Sequence, residues 1–190
     1  RRFINRFLSN LTVPSPFHEE VRFGISLVFL LAAIYLNNSL PNFSQYYQES
    51  GLDSFSNGEI IEAKQKLELA LSLDPSNDKA HYNLATLHET MGQIDLAKDA
   101  YSIALFSGLP EAYNNLGHLE IIDGNSAKAE HLLIRGLENF EMASSNNDNI
   151  KFALLKNLGW ARLQLERYSG AERALLEAIE ISSQEARDIH

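Results

Sequence analysis

The side chains that could carry acid–base or metal chemistry are six histidines and 25 acidic residues. Their spacing assembles no catalytic set. His81 and His88 stand seven residues apart, which is not the i, i+4 pair with which a zinc metalloprotease helix holds its metal. No GxxxxGK phosphate loop, GxSxG nucleophile elbow or GxGxxG dinucleotide turn occurs. Without a single cysteine, thiolate nucleophiles, thiolate metal sites and disulfides are excluded. Runs such as EAKQKLE set opposite charges four apart, Glu62 and Lys66, on a solvated helix face. The sequence therefore reads as a non-enzyme, with no cofactor and no metal.

The chemistry that does recur is hydrogen bonding. Asn83, Asn115 and Asn157 each stand directly before the leucine of an NLA or NLG triplet. A carboxamide offers donors and an acceptor together, so a row of them can pair with peptide backbone whatever the bound sequence, or else simply face water. One helical turn onward come Thr86, His118 and Trp160, and beside the asparagines lie Tyr82, Asn114 and Lys156. Trp160 and Tyr82 are candidates for the aromatic anchors that dominate interfaces or for packing against a neighbouring helix pair. Both alternatives stay open at this level.

What must position these residues is a repeat. YNLATLHETMGQIDLAKDAYSIAL from Tyr82, NNLGHLEIIDGNSAKAEHLLIRGL from Asn114 and KNLGWARLQLERYSGAERALLEAI from Lys156 superpose without gaps. A more divergent copy precedes them from about Ser44 to Asn77. Ala63, Ala97, Ala129 and Ala171, spaced by 34, 32 and 42 residues, sit early in the second helix of each pair. Their small side chains let it close on Gly51, Ala85, Gly117 and Gly159 of the first helix. Gly58, Gly92 and Gly124 mark the turns. Ala70, Ala104, Gly136 and Ala178 stay small where the next pair packs. Leu84, Leu116 and Leu158, with Leu67, Tyr101, Leu133 and Leu175, fill the seam.

In these residues the sequence resembles the tetratricopeptide repeat (TPR) family from about Ser44 to Ile181. Two departures are visible: the family's aromatic late in the first helix is His88, Glu120 and Arg162, and Glu166 replaces the last turn glycine. The resemblance implies an all-α fold, a right-handed superhelix of tandem antiparallel helix pairs (a TPR solenoid), here with an N-terminal hydrophobic helix. It also implies a concave groove lined by the first helices, which receives an extended peptide or a helix of a protein partner. On that basis the candidate peptide-binding residues are Asn83, Asn115, Asn157, Tyr82, Thr86, His118, Lys156 and Trp160. A carboxylate clamp is not expected, because only Lys79 and Lys156 would face the groove.

Ahead of the repeats, FGISLVFLLAAIYL (Phe23–Leu36) is apolar around the whole helical circumference. Stretched over residues 21–40 it reaches about 30 Å, the thickness of a bilayer's hydrocarbon. A membrane-spanning helix is the expectation, the alternative being a helix buried against the first repeat. Arg1, Arg2, Arg6 and Arg22 all precede it, and the next basic residue is Lys64. The positive-inside rule then predicts a single-pass protein with a cytoplasmic N-terminus and repeats on the opposite side. Those arginines against Glu19 and Glu20 give residues 1–43 a charge of +2 and leave −11 on the remainder of a protein at −9. An acidic globular part excludes nucleic acid as the natural partner.

The expected organisation is a basic segment with a Pro14/Pro16 linker over 1–20, the span over 21–40 with a break at Asn37–Asn42, and repeats at 44–77, 78–109, 110–151 and 152–185. The 42-residue spacing places an inserted loop at 141–150, and a further helix is expected to begin at 186–190. The functional expectation is a membrane-tethered interaction scaffold or assembly factor. The alternatives are a regulatory or sensory module of a larger kinase or protease, or self-association through the end repeats.

Overall fold

The computed structural model describes residues 19–143 and 147–188, with side chains over 23–143 and 147–183. The expected basic segment and Pro14/Pro16 linker lie outside the described residues. Helix α1 (Glu19–Ser56) is followed by α2 (Ile60–Leu73), α3 (Asp78–Thr90), α4 (Ile94–Ala104) and a short 3-10 turn (Leu105–Ser107). Then come α5 (Pro110–Ile122), α6 (Ser126–Met142), α7 (Asp148–Gln164) and α8 (Tyr168–Asp188). No strand occurs among the described residues. Each odd-numbered helix packs antiparallel on the even-numbered helix that follows it.

The packing follows from the small residues. Ala63, Ala97, Ala129 and Ala171 are all fully buried. A Cβ added to Gly117 would come 2.8 Å from Leu133 Cγ, and one on Gly159 would come 2.5 Å from Leu175 Cγ. Between successive pairs Gly136 does the same work, with Leu154 Cδ2 and Tyr113 Cβ at 2.6 and 2.9 Å from such a Cβ. The core is accordingly a continuous file of small contacts and leucines, each pair burying its apolar face only against its neighbours.

α1 differs from expectation. It runs through Pro41 without the break predicted at Asn37–Asn42. An internal proline removes one backbone hydrogen bond and costs about 3 kcal/mol. Packing immediately beyond it offsets that cost: Ser44, Gln48, Gly51 and Ser54 form a buried stripe at helical spacing against α2. Ser44 Oγ also accepts a 2.8 Å hydrogen bond from Asn77 Nδ2, and Ser54 Oγ accepts one of 2.9 Å from Lys66 Nζ. The first helix of repeat 1 and the apolar helix are thus one rod. Before Ser44 the rod has no cover among the described residues. Phe23 is 71%, Val28 65% and Tyr35 73% exposed, so the apolar run is not buried against the first repeat. From Phe23 the helix is long and apolar enough to cross a membrane.

The extra residues in the third pair do not form a loop over the whole of 141–150. α6 continues to Met142 and α7 starts at Asp148, so the added length goes mostly into one further turn on each helix. Phe140 and Ile150 explain why: both are buried in the core between the two helices, which a solvated loop would leave exposed. At the other end the further helix expected to begin at 186–190 is not a separate element as far as Asp188. α8 continues without interruption to Asp188, because Ala171, Ala174 and Ala178 carry one buried stripe along it.

Where Gly58, Gly92 and Gly124 turn the backbone with φ of +81°, +72° and +78°, Glu166 adopts +58°. That conformation costs an L-residue roughly 1–2 kcal/mol, part of which glycine's freedom in the unfolded state would offset. Glu166→Gly is therefore expected to stabilise the protein by about 1 kcal/mol, raising the melting temperature by roughly 2–4 °C in a calorimetric scan.

Candidate functional site

The inner helices α3, α5 and α7 place Thr86, Glu89 and Thr90, then Asn114, Asn115 and His118, then Ala153, Lys156 and Asn157 around one groove of about 520 Å³. On each helix these residues are three or four apart, which is what brings them to one face. Asn77 fixes where α3 begins, its side chain accepting from the Ala80 amide at 2.9 Å. Pro110 opens α5 at the position where its missing N–H costs nothing.

The floor of the groove is a series of hydrogen bonds with a fixed direction. Asn157 Nδ2 donates to Asn114 Oδ1 at 3.0 Å, and Asn114 Nδ2 donates to Asn115 Oδ1 at 3.0 Å. Asn115 Nδ2 donates to Tyr101 Oη at 3.0 Å, and that hydroxyl donates to Glu89 Oε2 at 2.8 Å. An ionised carboxylate can only accept. Glu89 therefore sets the polarity of every link, leaving Asn114 and Asn157 one spare N–H each and Asn157 a carbonyl with no partner among the described residues. A peptide backbone supplies both complements.

Tyr101 reaches this series from behind. It is fully buried on α4, its hydroxyl also lies 3.1 Å from Thr86 Oγ1, and Tyr82 packs on its ring with centroids 5.8 Å apart. Burial above all, with the Glu89 carboxylate beside it, pushes the Tyr101 phenol far above its ordinary range, against the hydrogen bonds from Thr86 and Asn115. Tyr82 moves up likewise, through burial and then the nearby Glu111. A phenol ionises at pH ~10 in the unfolded state and stays protonated in the folded one. Its contribution to stability is therefore full below that pH and lost as pH rises through the folded value. Tyr101→Phe is expected to cost about 1–3 kcal/mol at neutral pH by stranding Asn115 and Glu89. It should also flatten the alkaline loss of stability, read as urea midpoints between pH 8 and 11.

Of the candidates named from sequence, Thr86, Asn115, His118, Lys156 and Asn157 line this groove together. Trp160 is 41% exposed on its rim, its ring 5.7 Å from that of His118. His118 Nδ1 is buried without a hydrogen-bond partner. Lys156 is exposed, with Nζ 5.8 Å over the Phe152 ring. Tyr82 stands half-buried behind the lining, and Asn83 is not among the lining residues. Glu89, Thr90, Asn114 and Tyr101 complete the site. Tyr101 carried a legible signal: it holds a seam position where the other copies have Leu67, Leu133 and Leu175.

The polar residues at the family's aromatic position belong elsewhere. His88 Nδ1 bonds Gln93 Oε1 at 2.6 Å, Glu120 accepts from Asn125 at 2.8 Å, and Arg162 donates to the Gly170 carbonyl at 3.1 Å. Each ties its helix to the turn or the helix that follows. Burial would raise the Glu120 carboxyl, but Lys128, Asn125 and Lys98 hold it below the usual range. His81 bonds the Pro75 carbonyl at 3.1 Å. Among the described residues no group of three or more acidic or histidine side chains is placed to hold a metal.

The tetratricopeptide-repeat description matches the protein twice, over residues 54–115 and 108–184. A comparison with curated proteins finds no significant match. Among solved structures, Pseudomonas aeruginosa PilF superposes with a TM-score of 0.64 at 23% identity, over 75% of this chain and 63% of that one. This chain thus spans less than two thirds of the PilF structure. MamA superposes at 0.63 and 19% identity, over 77% of this chain and 82% of that one. The Yersinia enterocolitica type III secretion chaperone SycD, in complex with a peptide of the translocator YopD, superposes at 0.56 and 18% identity, over 63% and 92%. At such identities these likenesses establish the fold.

Proposed function

Because this chain belongs to the tetratricopeptide repeat family and has that family's protein-interaction scaffold, we propose that it is a non-catalytic, membrane-tethered adaptor that holds an extended segment of a partner protein in the α3–α5–α7 groove. The observation that carries this reading is the directed series of hydrogen bonds from Asn157 to Glu89. Its spare N–H groups and free carbonyl suit a backbone whose own groups are unpaired, as in an extended strand. A helix, which satisfies its backbone internally, would leave them idle. That SycD is described with a bound peptide supports the same use of this fold.

The tether in this reading is α1 from Phe23 onward, whose exposed apolar surface suits lipid on every side. The four arginines that precede it put the N-terminus in the cytoplasm and the groove across the membrane. The carboxamides beside the groove, rather than Asn83, carry the test. With the full-length protein in membranes, Asn114→Ala, Asn115→Ala and Asn157→Ala together should reduce capture of the partner at least tenfold, about 1.4 kcal/mol. The helical circular-dichroism signal should persist. Capture unchanged in the triple variant would end the reading.

A further inference from the structure

The groove is electrically asymmetric. On its α3 side stands Glu89. Glu89 forms no ion pair among the described residues; Tyr101 engages Oε2, and Oε1 keeps its lone pairs. On the α7 side stands Lys156, exposed, with Nζ over the face of Phe152 and no ion pair among the described residues. Of the other cations on the inner helices, Lys79, Lys151 and Arg162 do not line the groove, and Lys151 pairs with Glu141 and Glu177. Elsewhere the charges that approach the inner helices are consumed: Lys98 and Lys128 by Glu120, and Arg162 by Glu130. Glu89 and Lys156 are the charged residues that line the groove, of opposite sign and on opposite walls above the carboxamides, an arrangement that complements a segment carrying both signs.

Resting on the groove reading above, we propose that the bound segment is a charge-polarised peptide, with a lysine or arginine facing Glu89 and a carboxylate facing Lys156. α3 and α7 are separated by α5, so at 8–10 Å per helix step the two charges lie roughly 16–20 Å apart. An extended peptide advancing ~3.3 Å per residue covers that in about five or six residues. The carboxamide row fixes the backbone, and the two charges fix register and reject segments of the wrong sign. The carboxylate is that of an aspartate or glutamate, or the peptide's own C-terminus; the chemistry at Lys156 is the same.

The test uses the full-length protein in nanodiscs, panned against a display library of random dodecapeptides, some with a free C-terminus. The wild type should enrich peptides with a basic and an acidic group about five or six residues apart. Binding of the enriched peptides should weaken with added salt. Lys156→Glu should replace the acidic preference by a basic one, a change of about fivefold or more in enrichment. Glu89→Gln, which keeps the acceptor for Tyr101, should remove the preference for lysine or arginine at the other end only. Free C-termini enriched over internal carboxylates would assign the source. Peptides that need Asn115 and Asn157 but show no charge pattern, or a pattern untouched by both variants, would overturn the proposal while the groove stands. If no peptide is enriched, or the enriched ones bind Asn115→Ala/Asn157→Ala equally well, the groove reading itself falls and takes this one with it.

Discussion

Gly136→Val is expected to destabilise the solenoid by about 3 kcal/mol and to split its unfolding in two. The position is in the middle of α6, where a single added Cβ already comes 2.6 Å from Leu154 Cδ2 and 2.9 Å from Tyr113 Cβ. Leu154 is fully buried in the core of the last two pairs, and Tyr113 Cβ moves only with the backbone of α5. Neither neighbour can yield cheaply, so the upper part of the usual 1–3 kcal/mol overpacking range applies. In a linear array stability is a sum of units and of the interfaces between them. Wedging α6 away from α5 and α7 therefore weakens the joint of the last pair more than the first two. Thermal unfolding of the variant should show a separate early phase, with protease cleavage in α7 and α8 preceding cleavage in α3 and α4. A single transition at the wild-type temperature would mean that the close packing at Gly136 is not limiting.

The second large effect concerns α1. Leu31→Arg together with Ile34→Arg should convert the protein from membrane-retained to released. A cation at the centre of a span costs roughly 2.5–3.5 kcal/mol, and the pair about twice that. Both side chains are exposed and remote from the buried stripe that begins at Ser44, so the repeats should fold as before. In carbonate extraction the wild type should remain in the pellet and the double variant should appear in the supernatant with unchanged helicity. Release of the wild type under the same conditions would remove the tether from the proposed function.

The repeats were legible because their signal is redundant. Ala97, Ala129 and Ala171 announce the same close contact three times, and the structure buries all of them. What sequence reasoning missed are singular events. Pro41 speaks for a break on local grounds. Nothing local says that Ser44, Gln48 and Gly51 lock the next turns against α2. The polar stretch near residue 145 suggests a loop, yet Phe140 and Ile150 flank it, and burying both draws the flanking residues into helix. In the groove, the asparagine register was visible while its wiring was not. Hydrogen bonds from Asn157 to Asn114 and from Asn115 to Tyr101 join residues 43 and 14 positions apart, a relation only the superhelical stacking creates. Asn83 shares the register but does not line the groove.

Whether a partner segment runs through the groove is tested most directly by light-driven cross-linking in the native membrane. A photoreactive phenylalanine analogue is set at the position of Trp160 or Thr90, on the groove, and at Glu172, on the exposed outer face of α8. The adducts are then mapped by mass spectrometry. Groove capture predicts that Trp160 and Thr90 adducts converge on one short segment of the same partner, displaced along its sequence by a few residues, and that both vanish in the Asn114, Asn115, Asn157 triple variant. Adducts from Glu172 alone, or groove adducts that survive the triple variant, would contradict it.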